Sequence, residues 1–182
     1  MLMQKQEQKC VFFDRDGIVN QSPGPGYVER WEDLHILPEF IATLRSITSR
    51  GFIAIIITNQ RGIALGKMTL KSVNDMHSRL QKLLKEMHDL ELTDIFVCPH
   101  EKDSCECRKP KPGMFLAAAK KHNIDLKASW MIGDHVKDVE AGKAAGCRTI
   151  LVSSALKSAD ADFAVASMTE LQSLVDKVIG ID

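Results

Sequence analysis

Five short apolar runs, each followed by a helical pattern, constrain the fold of this chain more than any other feature. They are Cys10–Phe13, Phe52–Ile57, Ile95–Cys98, Trp130–Ile132 and Thr149–Val152. Phe52–Ile57 is apolar throughout and reads as a strand buried on both faces. Between the runs lie amphipathic segments. Pro38 opens a helix with Phe40, Ile41, Leu44 and Ile47 on one face, closed by Gly51. Thr69 can cap a long helix whose apolar stripe includes Val73, Met76, Leu80, Leu83, Leu84 and Met87. Met114–His122 and Val136–Ala145 read as further helices, and Gly146 ends the second. Ser167 and Glu170 have capping-box spacing ahead of a last one. Such alternation predicts a parallel sheet with helices on both faces, a three-layer α/β protein.

The 182 residues suffice for one sizeable core, and no linker or repeat divides them, so a single domain over 1–182 is expected. Lys+Arg 24 against Asp+Glu 24 leaves no net charge, which disfavours nucleic acid as a partner. Two Trp and one Tyr offer little for base stacking. No apolar run approaches the roughly 20 residues of a membrane span. Residues 1–9 are polar, without the apolar core of an export signal. A cytoplasmic protein with no membrane partner is the expectation.

Ligands of open α/β sheets sit at the carboxyl ends of the strands, and four such ends here carry reactive groups. After the first strand stand Asp14 and Asp16, two residues apart. Together they can hold a hard cation such as Mg²⁺, or one can attack an electrophile while the other donates a proton. An ordinary polar loop has the same composition. Thr58, Asn59 and Gln60 end the second strand, as a phosphate cradle or a common turn. Arg108-Lys109-Pro110 brings cations on a stiff backbone, either to a phosphate or to solvent. Asp134 ends another strand; Asp138, one helical turn on, either orients that loop or favours a helix N-terminus.

The five cysteines do not form a secreted disulfide pattern. Cys10 and Cys147 read as small buried hydrophobes. Cys98, His100, Cys105 and Cys107 supply three sulfurs and an imidazole, a set suited to a closed structural Zn²⁺ site in a loop over 98–107. That metal would set the angle at which Arg108 and Lys109 leave the loop. His77 and His88 read as surface or boundary residues, His35 and His122 have no visible partner, and Met76 and Met87 belong to a core stripe.

In their order and spacing, Asp14-x-Asp16-Gly17, strand-Thr58-Asn59, Lys109-Pro110 and Gly133-Asp134-x-x-x-Asp138 resemble the four motifs of the haloacid dehalogenase (HAD) superfamily of phosphohydrolases, over Cys10–Val152. The resemblance implies a Rossmann-like HAD fold, and the short length implies no large cap domain. It implies Asp14 as nucleophile forming an aspartyl-phosphate and Asp16 as general acid/base. Thr58 and Lys109 would stabilise the transferring phosphoryl group. Mg²⁺ would be held by Asp14, the Asp16 carbonyl and Asp134. The zinc loop running into Arg-Lys-Pro is similar to the subfamily that holds heptose-bisphosphate and histidinol-phosphate phosphatases.

By that resemblance the substrate is a small phosphorylated metabolite, foremost a sugar bisphosphate, gripped by Gly24, Pro25, Gly26, Tyr27, Asn59, Gln60, Arg61 and His135. Arg108 would take the second phosphate. Several positions depart from the family pattern: Ile18 for a hydroxyl residue, Arg61 for Ser, His135 for Lys, and a longer loop at Gln21–Pro25. The short zinc loop favours histidinol phosphate as the alternative substrate. A zinc-stabilised binding protein without turnover is the reading of another class. The capless outline is compatible with a monomer.

Overall fold

A computed structural model describes residues 6–155 and 160–180. Residues 1–5 of the polar N-terminal stretch, 156–159 and 181–182 lie outside the described residues. The strands are β1 (Cys10–Phe13), β2 (Ile53–Asn59), β3 (Asp94–Cys98), β4 (Trp130–Gly133), β5 (Arg148–Val152) and β6 (Phe163–Val165). They form one parallel sheet in the order β3-β2-β1-β4-β5-β6. The helices are α1 (Pro38–Ser49), α2 (Leu70–His88), α3 (Gly113–His122), α4 (Val136–Ala145) and α5 (Met168–Val178). The three-layer Rossmann-like arrangement expected from the alternation is the one observed, without a large cap.

The pleat explains the layers, because successive strand side chains face opposite sides. Val11 and Phe13 join Ile56 and Ile132 in a core with Phe40 and Leu44 of α1, Leu80 of α2 and Leu171 of α5. Cys10, Phe12, Ile57 and Met131 join Phe115 of α3 and Ala141 of α4 in the other. Phe12 meets Phe115 edge-on at 4.9 Å and Phe13 meets Phe40 at 5.3 Å. Each buried Phe contributes about 1.5–3 kcal/mol. They also pin both helical layers to β1, whose next residue is Asp14.

Helix ends follow local chemistry. Pro38 opens α1, and Thr69 and Ser72 exchange a reciprocal capping box at α2. At α5 only half of the expected box closes: Ser167 Oγ accepts from Glu170 N, while the Glu170 carboxylate accepts from Ala166 N–H instead. The long α2 corrects two expectations. Met87 is 73% exposed and lies outside the stripe, whereas His77 is buried within it. β6 escapes the hydrophobic pattern because three residues show little period. Thr149 secures it, donating N–H and Oγ1–H to Asp162 Oδ2 at 2.7 and 2.8 Å just ahead of the strand. His122, without a visible partner in sequence, pairs with Asp94 at 2.7 Å. Cys10 and Cys147 are both buried. Among the described residues no helix is long and apolar enough to cross a membrane.

Candidate active site

The strand order reverses between β1 and β4, and the crevice at such a point is where sheets of this type bind ligands. Asp14 follows β1 and Asp134 follows β4. Asp14 N–H donates to Ile132 O at 3.0 Å, which extends the ladder by one step beyond β1. Carboxylate oxygens of Asp14, Asp134 and Asp138 lie within 4.8 Å of one another. Gly17 makes the approach possible: its φ is +89°, and a Cβ there would overlap Asp134 Oδ2. Burial, and then the charges of Asp14 and Asp138, push the Asp134 carboxyl up to about 7. Oxygen-only and mutually repelling, with Asp14 and Asp138 buried and Asp134 partly so, these donors fit a hard divalent cation, whose charge would reverse that shift.

Lys109 is the counter-charge. Its ammonium is buried, 2.9 Å from Asp14 Oδ1 and 2.7 Å from Asp138 Oδ1, and it donates to Ile57 O at 2.8 Å. Burial works against the charge, yet Asp138 and Asp14 hold the Lys109 pKa above its ordinary value. Asp138 Oδ2 accepts from His135 N–H at 3.1 Å, in the first turn of α4. The two roles left open for Asp138 therefore coincide. A Cβ at Gly133 would overlap its side chain.

Two residues expected to touch substrate are turned elsewhere. Asn59 donates Nδ2–H to Lys109 O at 3.0 Å and accepts Lys109 N–H on Oδ1 at 3.1 Å, although its surface still lines the cleft. Gln60 is buried and donates from Nε2 to Asp16 Oδ2 at 3.1 Å and to Thr58 Oγ1 at 2.8 Å. Both amides position neighbouring groups, because the loop folds back against β3, with Gln60 N–H donating to Cys98 O.

Asp16 also accepts from Asn20 Nδ2 at 3.0 Å and from the guanidinium of Arg15, a residue with no exposed surface. Arg15 was not among the expected site residues, and its partner His77, expected at the surface or boundary, is buried. A signal existed: Val73, His77, Leu80 and Leu84 recur at steps of four, three and four along α2.

The cleft above these groups encloses about 330 Å³. Asp14, Asp16, Thr58, Arg61, Arg108, Asp134 and His135 line it, with Gly24, Gly26 and Tyr27 on the β1 side. Pro25 and Gln60 are absent from the lining, and Lys109 lies beneath it. Arg61 pairs with Glu101, which ties the β2 loop to the loop after β3. Arg108 makes one long bond, from Nη1 to His100 O at 3.4 Å. His135 caps α4, its Nδ1 accepting from Lys137 N–H at 3.3 Å.

Beside the cleft, Cys98, His100, Cys105 and Cys107 gather at the end of β3. Cys98 Sγ is 3.6 Å from Cys105 Sγ and 3.7 Å from His100 Nδ1. Cys107 Sγ is 3.4 Å from Cys105 Sγ and 3.2 Å from His100 Nδ1. A tetrahedron with bonds of about 2.3 Å has edges of about 3.8 Å, so the four donors already stand near its corners. The Glu106 carbonyl passes so close to Gly113 that a Cβ there would overlap it.

Fold and site together define a HAD-like hydrolase, and a HAD-hydrolase-like family model matches residues 106–174. Curated relatives extend the match. A D-glycero-β-D-manno-heptose-1,7-bisphosphate 7-phosphatase of Haemophilus ducreyi is 33% identical over 178 residues, 94% of this chain and 97% of that protein. The Pseudomonas putida enzyme of the same name is 37% identical over 145 residues, 79% of this chain and 82% of its own. Among solved structures, D,D-heptose 1,7-bisphosphate phosphatase from B. bronchiseptica, complexed with magnesium and phosphate, superposes with a TM-score of 0.82. It is 27% identical and the match covers 93% of this chain and 99% of that one. The chain belongs to this family of HAD-like phosphatases.

Proposed function

We propose that this phosphatase removes the 7-phosphate of D-glycero-D-manno-heptose 1,7-bisphosphate through an aspartyl-phosphate on Asp14. The observation that carries the reading is the Asp14 carboxylate held at the β1–β4 crevice. Its Oδ1 is engaged by Arg15 N–H at 2.8 Å and by Lys109 at 2.9 Å. Oδ2 is then the attacking atom.

In the first step Asp14 Oδ2 bonds to phosphorus as the bond to the sugar O7 breaks, and Asp16 gives O7 a proton. In the second, Asp16 takes a proton from water, the water oxygen bonds to phosphorus, and the bond to Asp14 breaks. Lys109 and the Thr58 hydroxyl offset charge on the transferring oxygens. Asp14, Asp134 and the Asp16 carbonyl would hold Mg²⁺, which when bound withdraws negative charge from the phosphoryl group. Arg108 presents its guanidinium fork to the second phosphate. The three sulfurs and the imidazole of the 98–107 loop would hold Zn²⁺, a structural ion with no open position for substrate. Catalysis and recognition then belong to one domain, the substrate being a small sugar bisphosphate.

A comparison of kcat/KM for heptose bisphosphate and histidinol phosphate tests the substrate. A preference of at least about tenfold for the bisphosphate is expected from the charge-assisted contacts of Arg108. The reverse order would assign histidinol phosphate, and no turnover of either compound or of a broad phosphomonoester panel would favour a binding protein.

A further inference from the structure

The proposed reaction uses Asp16 but leaves unexplained the buried charge behind it. Arg15 curls back on its neighbour, with Nε 3.1 Å from Asp16 Oδ1 and Nη2 3.0 Å from both carboxylate oxygens. A guanidinium without solvent contact needs a partner for each donor, or the uncompensated charge is costly. Away from Asp16, Arg15 Nη1 lies 3.3 Å from Nε2 of His77. That imidazole comes from α2, in the helical layer behind the sheet. Burial, then the Arg15 charge, hold the His77 pKa down to about 3. The ring is therefore neutral and accepts from Arg15.

We propose that His77 is a positioning residue for the reaction: it fixes the Arg15 guanidinium, which in turn aims the Asp16 carboxylate. The inference rests on the reading of Asp16 as the group that protonates the leaving oxygen. Asn20, four residues on in the same loop, and Gln60, from the loop after β2, restrain the same carboxylate. Only Arg15 engages both of its oxygens, and its far end has no other side-chain anchor than His77 among the described residues. A proton donor works within a narrow range of distance and angle, so slack at His77 reaches the leaving group through two hydrogen-bonded contacts.

The test uses the full chain with Mg²⁺ and two substrates. One is the sugar bisphosphate, whose alkoxide must be protonated. The other is p-nitrophenyl phosphate, whose leaving group needs no proton. The readout is kcat/KM, which covers the steps through departure of the leaving group.

His77→Leu should lower kcat/KM about tenfold more on the sugar substrate than on p-nitrophenyl phosphate. His77→Gln, whose amide oxygen can accept from Arg15, should restore most of that loss. His77→Asn, too short to reach, serves as a second loss variant if the Leu variant does not fold. In an Asp16→Asn background the His77 substitution should cost nothing more, because its effect runs through that carboxylate. Equal losses on both substrates, or a loss that persists in the Asp16→Asn background, would reduce His77 to a packing residue. If Asp16→Asn itself slows both substrates equally, the acid role of Asp16 fails and the inference falls with it.

Discussion

Gly17 and His77 illustrate what single residues contribute. Any side chain at Gly17 would meet Asp134 Oδ2, and the positive φ adds backbone strain for an L-residue. Gly17→Ala should cost about 1–3 kcal/mol of stability and raise the Mg²⁺ concentration for half-maximal activity about tenfold. Metal titration of the rate checks this; an unchanged midpoint would mean that Asp134 is not a ligand. His77 predicts a pH dependence. Its folded pKa is depressed from 6.5 to about 3, so below pH 6.5 the unfolded chain takes up a proton that the folded one does not. Stability is intact above that pH and falls below it by about 1.4 kcal/mol per unit until the folded pKa is approached. Urea unfolding near pH 6.5 and pH 5 should show this loss in the wild type and not in His77→Gln.

Residues were legible in sequence where chemistry follows a strand directly. Asp14, Asp16, Thr58 and Asp134 stand at strand ends, and a parallel strand reveals its end by its apolar run. His77 was misread, and the bonds of Asn59 and Gln60 to Lys109 and Asp16 were not legible, because these partners lie 62, 50 and 44 positions away. Nothing local distinguishes an amide facing a substrate from one facing Lys109.

Among the elements, the loop after β3 carries the most. Its sulfurs and imidazole cluster ahead of Arg108 and Lys109, and Arg61 reaches it through Glu101. A loop so polar has little apolar area to bury, so a metal at these four donors would be what holds it. Cys105→Ser should remove stoichiometric zinc, lower the unfolding midpoint and reduce kcat/KM about 10–100-fold. Metal analysis and kinetics on the same preparation check it; undiminished activity without zinc would detach the loop from the site. The Cys and His spacing made the gathering of these side chains legible, whereas β6 was not. Its three residues gain their place from the Thr149–Asp162 contacts, which follow no hydrophobic period.

On the scale of the whole molecule, one topological fact organises the rest. Placing β4 beside β1 brings Asp134 to Asp14 across 120 residues, and α4 then delivers Asp138 to Lys109. The alternation of strands and helices announced the layers. The order of strands came only with the structure, since periodicity says nothing about which strand is neighbour to which. Without a large cap, the cleft of about 330 Å³ is walled by loop residues, Arg108 among them.

In the proposed reaction Asp14 attacks the 7-phosphate of a heptose bisphosphate. Phosphorus NMR of D-glycero-D-manno-heptose 1,7-bisphosphate, with Mg²⁺ and either wild-type protein or Asp14→Asn, tests it most directly. The wild type should convert the 7-phosphate signal to inorganic phosphate and leave the 1-phosphate in place, while folded Asp14→Asn should convert neither. Release of the 1-phosphate first, or turnover by Asp14→Asn at the wild-type rate, would contradict it.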